Sequence, residues 1–206
     1  MNRPARLLIA RHGETDWNRD GRWQGDRDIP INDTGRTQAN ALAQRLAGEE
    51  IAAIHSSDLS RASETAAIVG AHIGITPRTE AYWRELRLGS LTGRSNATLA
   101  NVHGELVTAI ATSDGPLAEG VEEFHEIQAR LREGFRRVCD EHAGKTVLIV
   151  GHGGTLKALI ADLIGLPPSN IHHLSLRGNT SVSEIDFRHG RPQLMRINCT
   201  AHLEQA

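Results

Sequence analysis

Leu7-Leu8-Ile9-Ala10-Arg11-His12-Gly13-Glu14-Thr15 is the stretch whose reading decides the fold. Four apolar residues are too few for a buried helix and, bounded by polar residues, read as a buried strand. At its end an imidazole stands beside a guanidinium. A neutral imidazole is a competent nucleophile near pH 7, and an arginine fork matches the oxygens of a phosphate. A strand that delivers His12 and Arg11 together therefore predicts an anion site at a strand end.

Outward from this stretch the pattern alternates between strand and helix. Asn32 is a candidate N-cap for a helix that carries Ala39, Leu42, Ala43 and Leu46 at helical spacing before Gly48. Residues 51–54 read as a second strand ending at His55-Ser56-Ser57. Asp58 or Ser60 is then placed to cap a helix with Ala62, Ala66, Val69 and Ile73 inward. Phe124, Ile127, Leu131, Phe135 and Val138 mark a long helix, and residues 146–150 a buried strand. Gly153 and Gly154 turn the chain into a helix carrying Leu156, Leu159, Ile160 and Leu163, stopped by Gly165 and Pro167-Pro168. Leu174 and Leu176 alternate with polar residues as a strand would. Residues 181–187 and 193–198 form two further strands around a turn at 188–191. The expected architecture is α/β, three layers α/β/α, with a mainly parallel central sheet and helices on both faces. A length of 206 residues fits one domain, 1–206, with a helical cap or lid at 95–120.

The formal net charge is -2, so no global positive field draws nucleic acid or an anionic membrane, and an anion site must be a local gathering of Arg and His. Cys139 and Cys199 have no C-x-x-C spacing; two reduced thiols suit a cytoplasmic location. No apolar run is long enough to span a bilayer, and the N-terminal run is too short for a secretory h-region. None of the eleven histidines falls in an H-x-x-x-H or H-x-H arrangement, and His172-His173 would point to opposite sides of a strand, so no metal is expected. Arg61 is predicted in the first turn of its helix, the end where a cation is disfavoured unless an anion binds nearby. A surface ion pair is the competing reading of this residue.

Beyond the opening tetrad come Asp16-Trp17-Asn18, Gly21-Arg22-Trp23-Gln24-Gly25, Asp28-Ile29-Pro30-Ile31 and Gly35-Arg36-Thr37-Gln38-Ala39. Later come Ser56-Ser57-Asp58-Leu59-Ser60-Arg61-Ala62, Arg84-Glu85-Leu86 before Gly89, Val150-Gly151-His152-Gly153-Gly154 and Gly178-Asn179-Thr180-Ser181-Val182. In order and in content these segments resemble the histidine phosphatase superfamily, also called the phosphoglycerate mutase-like family, over nearly the whole chain. The resemblance implies a metal-independent, cofactor-free phosphatase that acts on a small phosphorylated metabolite through a phosphohistidine on His12. Arg11, Asn18, Arg61 and a cationic His152 would hold the phosphoryl group, His152 sharing in catalysis. Gln24, Gly25 and Asn179 would meet the substrate.

The leaving alkoxide needs a proton, and the family's acid-bearing segment is similar to Trp83-Arg84-Glu85-Leu86-Arg87-Leu88-Gly89. Glu85 is therefore the expected acid, with Glu80 and Glu14 as rivals and an ordinary ion pair as the plainer reading. Many members carry Gly-x-Trp-Glu-Gly where this chain has Gly89-Ser90-Leu91-Thr92-Gly93, and many have Gly-Glu-Ser where it has Pro116-Leu117-Ala118-Glu119-Gly120-Val121. Leu91 and Thr92 remove an aromatic wall and an acceptor, so the leaving group is not inferred from the family. A cofactor-dependent phosphoglycerate mutase is the alternative, although such mutases are typically longer, with an inserted segment that helps exclude water. A phospho-ligand binding module without turnover is the third reading. Strand edges late in the chain are a candidate surface for a homodimer.

Overall fold

The computed structural model describes residues 3–99, 119–187 and 191–204. A six-stranded sheet runs β1 Arg6–Arg11, β2 Ile51–Ser57, β3 Arg78–Glu80, β4 Thr146–Gly151, β5 Val182–Asp186 and β6 Gln193–Cys199, in the spatial order β3-β2-β4-β1-β5-β6. The pairs β2–β3, β2–β4 and β1–β4 are parallel, and β1–β5 and β5–β6 antiparallel. Helices α1 Asp16–Arg19, α2 Asp33–Leu46, α3 Ser60–Ile73, α4 Asn96–Leu99, α5 Phe124–Glu141 and α6 Gly153–Ile164 connect them. No helix among the described residues is long and apolar enough to cross a membrane.

The central strands are apolar on both faces because both faces are covered. Leu8 and Ala10 of β1 and Leu148 and Val150 of β4 pack on α2 and α3 through Leu42, Ala43, Leu46, Ala62, Ala66 and Val69. The alternate residues Leu7, Ile9, Val147 and Ile149 face Phe124, Ile127, Leu131, Val138, Leu156 and Leu159 of α5 and α6. Chain leaving β1 thus goes to the α2 side and chain leaving β4 to the α6 side. Between the carboxyl ends of two adjacent parallel strands whose helices diverge lies a crevice, the usual ligand position in open α/β sheets.

Asn32 is the N-cap expected, its side chain accepting from Gly35 N at 2.8 Å. Gly35 has a packing reason to be glycine, since a Cβ there would lie 2.2 Å from the backbone oxygen of Glu14. Gly35→Ala should therefore destabilise the protein by about 2 kcal/mol or more through overpacking and lower the melting temperature by roughly 5 °C or more. Gly48→Ala, with open space around its Cβ, should leave the melting temperature within about 2 °C. Equal melting of the two variants would refute the close-approach account.

Two local readings are corrected by longer-range contacts. Helix α3 is capped by neither Asp58 nor Ser60: the N-cap is Leu59, with no side-chain bond. Asp58 instead forms a bidentate pair with Arg84, both contacts 2.7 Å, while Asp28 accepts from the N–H and hydroxyl of Ser60 at 2.8 and 2.7 Å. The Leu174/Leu176 alternation is not a strand. It follows a 3-10 helix, Pro168–His173, in which His172 and His173 lie with ring centroids 4.1 Å apart, and it packs against the α5–α6 core. Of the proposed cap at 95–120, residues 95–99 and 119–120 are described and include α4; the remainder, like the turn residues 188–190, lies outside the described residues.

Candidate active site

The first histidine is fixed by the sheet itself. Arg11 pairs with Gly151 at the end of the β1–β4 ladder, and His12 N continues it by donating to Gly151 O at 2.9 Å. Since His152 follows Gly151, two adjacent strand ends deliver both imidazoles, with ring centroids 5.2 Å apart. His12 is 2 % exposed and His152 fully buried. The cavity at this point, about 960 Å³, is lined by Arg11, His12, Asn18, Gln24, Gly25, Arg61, Glu85 and Asn179 among others. His152 packs behind that lining.

The hydrogen bonds assign the ring tautomers. His12 Nδ1 lies 2.6 Å from Gly13 O; a carbonyl only accepts, so Nδ1 carries the hydrogen and Nε2 keeps its lone pair. Burial, reinforced by Arg61 and then Arg11, holds His12 well below the ordinary imidazole value, so it is neutral at pH 7. His152 Nδ1 accepts from Arg61 Nε at 3.1 Å, which puts its hydrogen on Nε2, a buried atom with no partner. Burial, then Arg61, His12 and Arg11, push His152 down as well. The expected cationic second histidine is thus corrected: crowded by two guanidinium groups, it is a neutral donor.

Arg61 is 1 % exposed and is the centre of the site's scaffold. Besides His152 it donates from Nη1 to Arg27 O and from Nη2 to Gly25 O, both at 2.7 Å. A guanidinium has five N–H groups, so three are held and two remain. Burial lowers it to about 10, against the fields of Glu85 and Asp28, and it stays charged. The segment from Gly25 to Asp28 therefore clamps the N-terminus of α3 and aims Arg61. Gly25 itself serves this clamp through its carbonyl.

Arg11 donates to Arg177 O, and its Nε is buried without a partner. Burial lowers its pKa and Glu85 opposes this. Asn18 uses its Oδ1 on Thr15 N at 3.2 Å and on Asn179 Nδ2 at 3.2 Å, which leaves its own amide N–H groups to donate into the cavity. Asn179 also donates to His12 O at 3.1 Å, so this cavity-lining residue positions the loop. Gln24 is buried, lines the cavity and has an unpartnered Oε1.

Glu85 docks on the N-terminus of α6, accepting from Gly154 N at 2.9 Å and Thr155 N at 3.0 Å. Its rivals are engaged elsewhere: Glu14 accepts from Asn32 at 3.0 Å, and Glu80 holds His55 and Trp83, each at 2.9 Å. Sequence reasoning missed Arg130, which donates to Tyr82 O and Arg84 O at 2.8 Å and pairs with buried Glu122, thereby holding the Glu85 loop. It missed Trp17 and Trp23 as an aromatic rim, with Arg22 stacked on Trp17 at 4.1 Å. The backbone oxygens that Arg130 holds are 46 and 48 residues away, so no local signal marks its role. Five cations, Arg11, Arg22, Arg61, Lys157 and Arg177, and one carboxylate, Glu85, line the described part of the cavity, a local anion site in a chain of net charge -2.

The family model described as Histidine phosphatase superfamily (branch 1) matches residues 7–200. Phosphoglycerate mutase-like protein 4 of Arabidopsis thaliana is 35% identical over 159 residues, 75% of this chain and 69% of that protein. The mycobacterial glucosyl-3-phosphoglycerate phosphatase solved with VO3 superposes with a TM-score of 0.84 at 33% identity, covering 95% of this chain and 99% of that one. A phosphoserine phosphatase from Entamoeba histolytica, solved with phosphoserine, superposes with a TM-score of 0.83 at 30% identity, covering 96% and 98%.

Proposed function

The chain belongs to the histidine phosphatase superfamily, and from that premise we propose that it hydrolyses a small phosphomonoester through a phosphohistidine on His12, without a metal. The observation that carries this reading is the neutral His12, Nε2 free, beside two guanidinium groups in one cavity. The Nε2 lone pair attacks phosphorus and the P–O ester bond breaks. The spare N–H groups of Arg61, Nε of Arg11, Asn18 and Nε2–H of His152 take the phosphoryl oxygens, supplying the positioning and charge stabilisation that phosphoryl transfer needs. A buried donor without a partner costs about 1–3 kcal/mol, and a bound phosphate removes that cost at Arg11 and His152.

Glu85 gives its proton to the leaving oxygen. Water then attacks phosphorus, its proton passes to Glu85, and the N–P bond breaks to return the lone pair to His12 with release of orthophosphate. Gly154 stands so near that a Cβ there would lie 2.6 Å from Glu85 Oε1, which supports a site closely fitted around this carboxyl.

Glu85→Gln tests the acid role. Hydrolysis of alkyl phosphates should fall by about 10²- to 10³-fold, whereas p-nitrophenyl phosphate, whose leaving group needs little protonation, should lose roughly tenfold or less. Equal losses on both would remove Glu85 from the proton-transfer step. The mutase-like name of the Arabidopsis relative favours one second reading, return of the phosphoryl group to another hydroxyl. Phosphoglycerate with a bisphosphoglycerate primer separates the two: released orthophosphate supports hydrolysis, and isomerised phosphoglycerate supports transfer.

A further inference from the structure

One cation of the cavity has no task in the chemistry above. Lys157 lies in the second turn of α6, half-buried, three residues beyond Gly154, whose N–H holds Glu85. Side chains on a helix slant toward its N-terminus, so the lysine stem runs back toward the strand ends, and Lys157 does line the cavity. Three effects oppose an ammonium there. Burial lowers its pKa, Arg177 adds like-charge repulsion, and the positive end of the helix dipole is nearby. Only the field of Glu85 favours it, and Lys157 makes no hydrogen bond or ion pair of its own among the described residues, since the Glu85 oxygens are engaged by backbone N–H groups.

Glu85 marks the side on which the leaving group departs, and Lys157 adjoins it. The cavity that Lys157 lines also has an apolar share, including Leu86, Phe124, Ile127, Ala158 and Leu174. A partly desolvated cation with no hydrogen-bond partner gains most from an anion brought by the ligand. Resting on the reading of this cavity as a phosphomonoester site, we propose that Lys157 is a specificity-determining residue that receives a second anionic group, carboxylate or phosphate, carried on the leaving-group portion of the substrate. The phosphoryl group undergoing transfer occupies the arginine pair, and the second anion meets Lys157.

Binding needs no turnover and tests this apart from the catalytic reading. Titration calorimetry on the intact protein would compare ω-phosphonocarboxylates of two to five methylenes with alkylphosphonates of the same lengths. α,ω-Bisphosphonates distinguish a phosphate from a carboxylate as the second group. At one chain length or more, the doubly anionic ligand should bind roughly tenfold tighter than its methyl-ended counterpart. Lys157→Gln should erase that gap while leaving alkylphosphonate affinity unchanged, and Lys157→Met, which keeps the apolar stem, should do the same with an unaltered melting temperature. Exposed Arg177→Gln should keep most of the gap. No gap at any length in the native protein, or a gap erased by Arg177→Gln and retained in the Lys157 variants, would overturn the proposal. Absence of phosphatase turnover alongside an intact, Lys157-dependent gap would count against the catalytic reading alone.

Discussion

His12→Ala is expected to abolish turnover of every phosphomonoester, by about four orders of magnitude or more, with the fold and the melting temperature nearly unchanged. The size of the loss follows from the division of labour. Arg11, Arg61 and Glu85 position and polarise, but none can form the N–P bond, so an alanine leaves an occupied site without a nucleophile. Quenched-flow with labelled substrate should trap an acid-labile phosphoprotein in the native chain and none in the variant. The pH profile gives a second readout. Because burial and two guanidinium groups lower His12 below its ordinary value of 6.5, the nucleophile stays unprotonated as pH falls through that value. The acid limb of kcat at saturating substrate should therefore lie below about 6.5. A variant retaining a trapped intermediate, or an acid limb centred above 7, would remove His12 from its role.

The second large effect is expected at Arg61, where function and architecture share one side chain. Arg61→Ala should lower kcat/KM by about 10³-fold or more, because two phosphate donors vanish from a water-poor site. It also leaves Gly25 O, Arg27 O and His152 Nδ1 without their donor. At roughly 1–3 kcal/mol for each buried polar group left unmade, the melting temperature should fall by 5 °C or more. Arg61→Lys separates the two roles. An ammonium keeps the charge but cannot span three acceptors in different directions and still point at phosphate, so it should recover part of the orthophosphate affinity and little of the rate. Full recovery of both by lysine would mean that Arg61 acts as a point charge alone. His152 should respond too: without the Nε donor its tautomer is no longer fixed.

The centre of the sheet is legible because β1 and β4 are apolar runs buried on both faces, whereas β3, three polar residues Arg78–Glu80 at the sheet edge, carries no such pattern and is not foreseen. The meeting of the two histidines is legible for a related reason, since the residues after a strand carry its direction with them: Arg11-His12 and Gly151-His152 follow adjacent strand ends. Asp28 capping α3 across 32 residues, Arg130 holding the Glu85 loop and Asn179 bracing His12 were not legible. Each is a side chain bonded to backbone far away in sequence, and nothing local distinguishes it from a solvated polar residue. The alternation at Leu174 and Leu176 misled because an irregular chain laid on a helical core buries alternate residues as a strand does. Leu91 and Thr92 are not in the described cavity lining, whose aromatic rim comes from Trp17 and Trp23 far earlier in the chain. The neutral state of His152 is not legible because it comes first from burial and then from Arg61, His12 and Arg11, none of which the local sequence shows.

Both histidines hang from the central ladder, with His12 N bonded to Gly151 O one step past the last paired residues of β1 and β4. Their spacing is thus a property of the innermost strands, with no hinge between them. The peptide deuterons at His12 and along Val147 to Val150 should exchange only when the whole molecule opens, on the timescale of global denaturation, while those around α1 and the tryptophan rim exchange through small local excursions. Adaptation of this scaffold to new esters is therefore expected at the rim and at the far wall, and the two histidines are expected to stay where the sheet has pinned them.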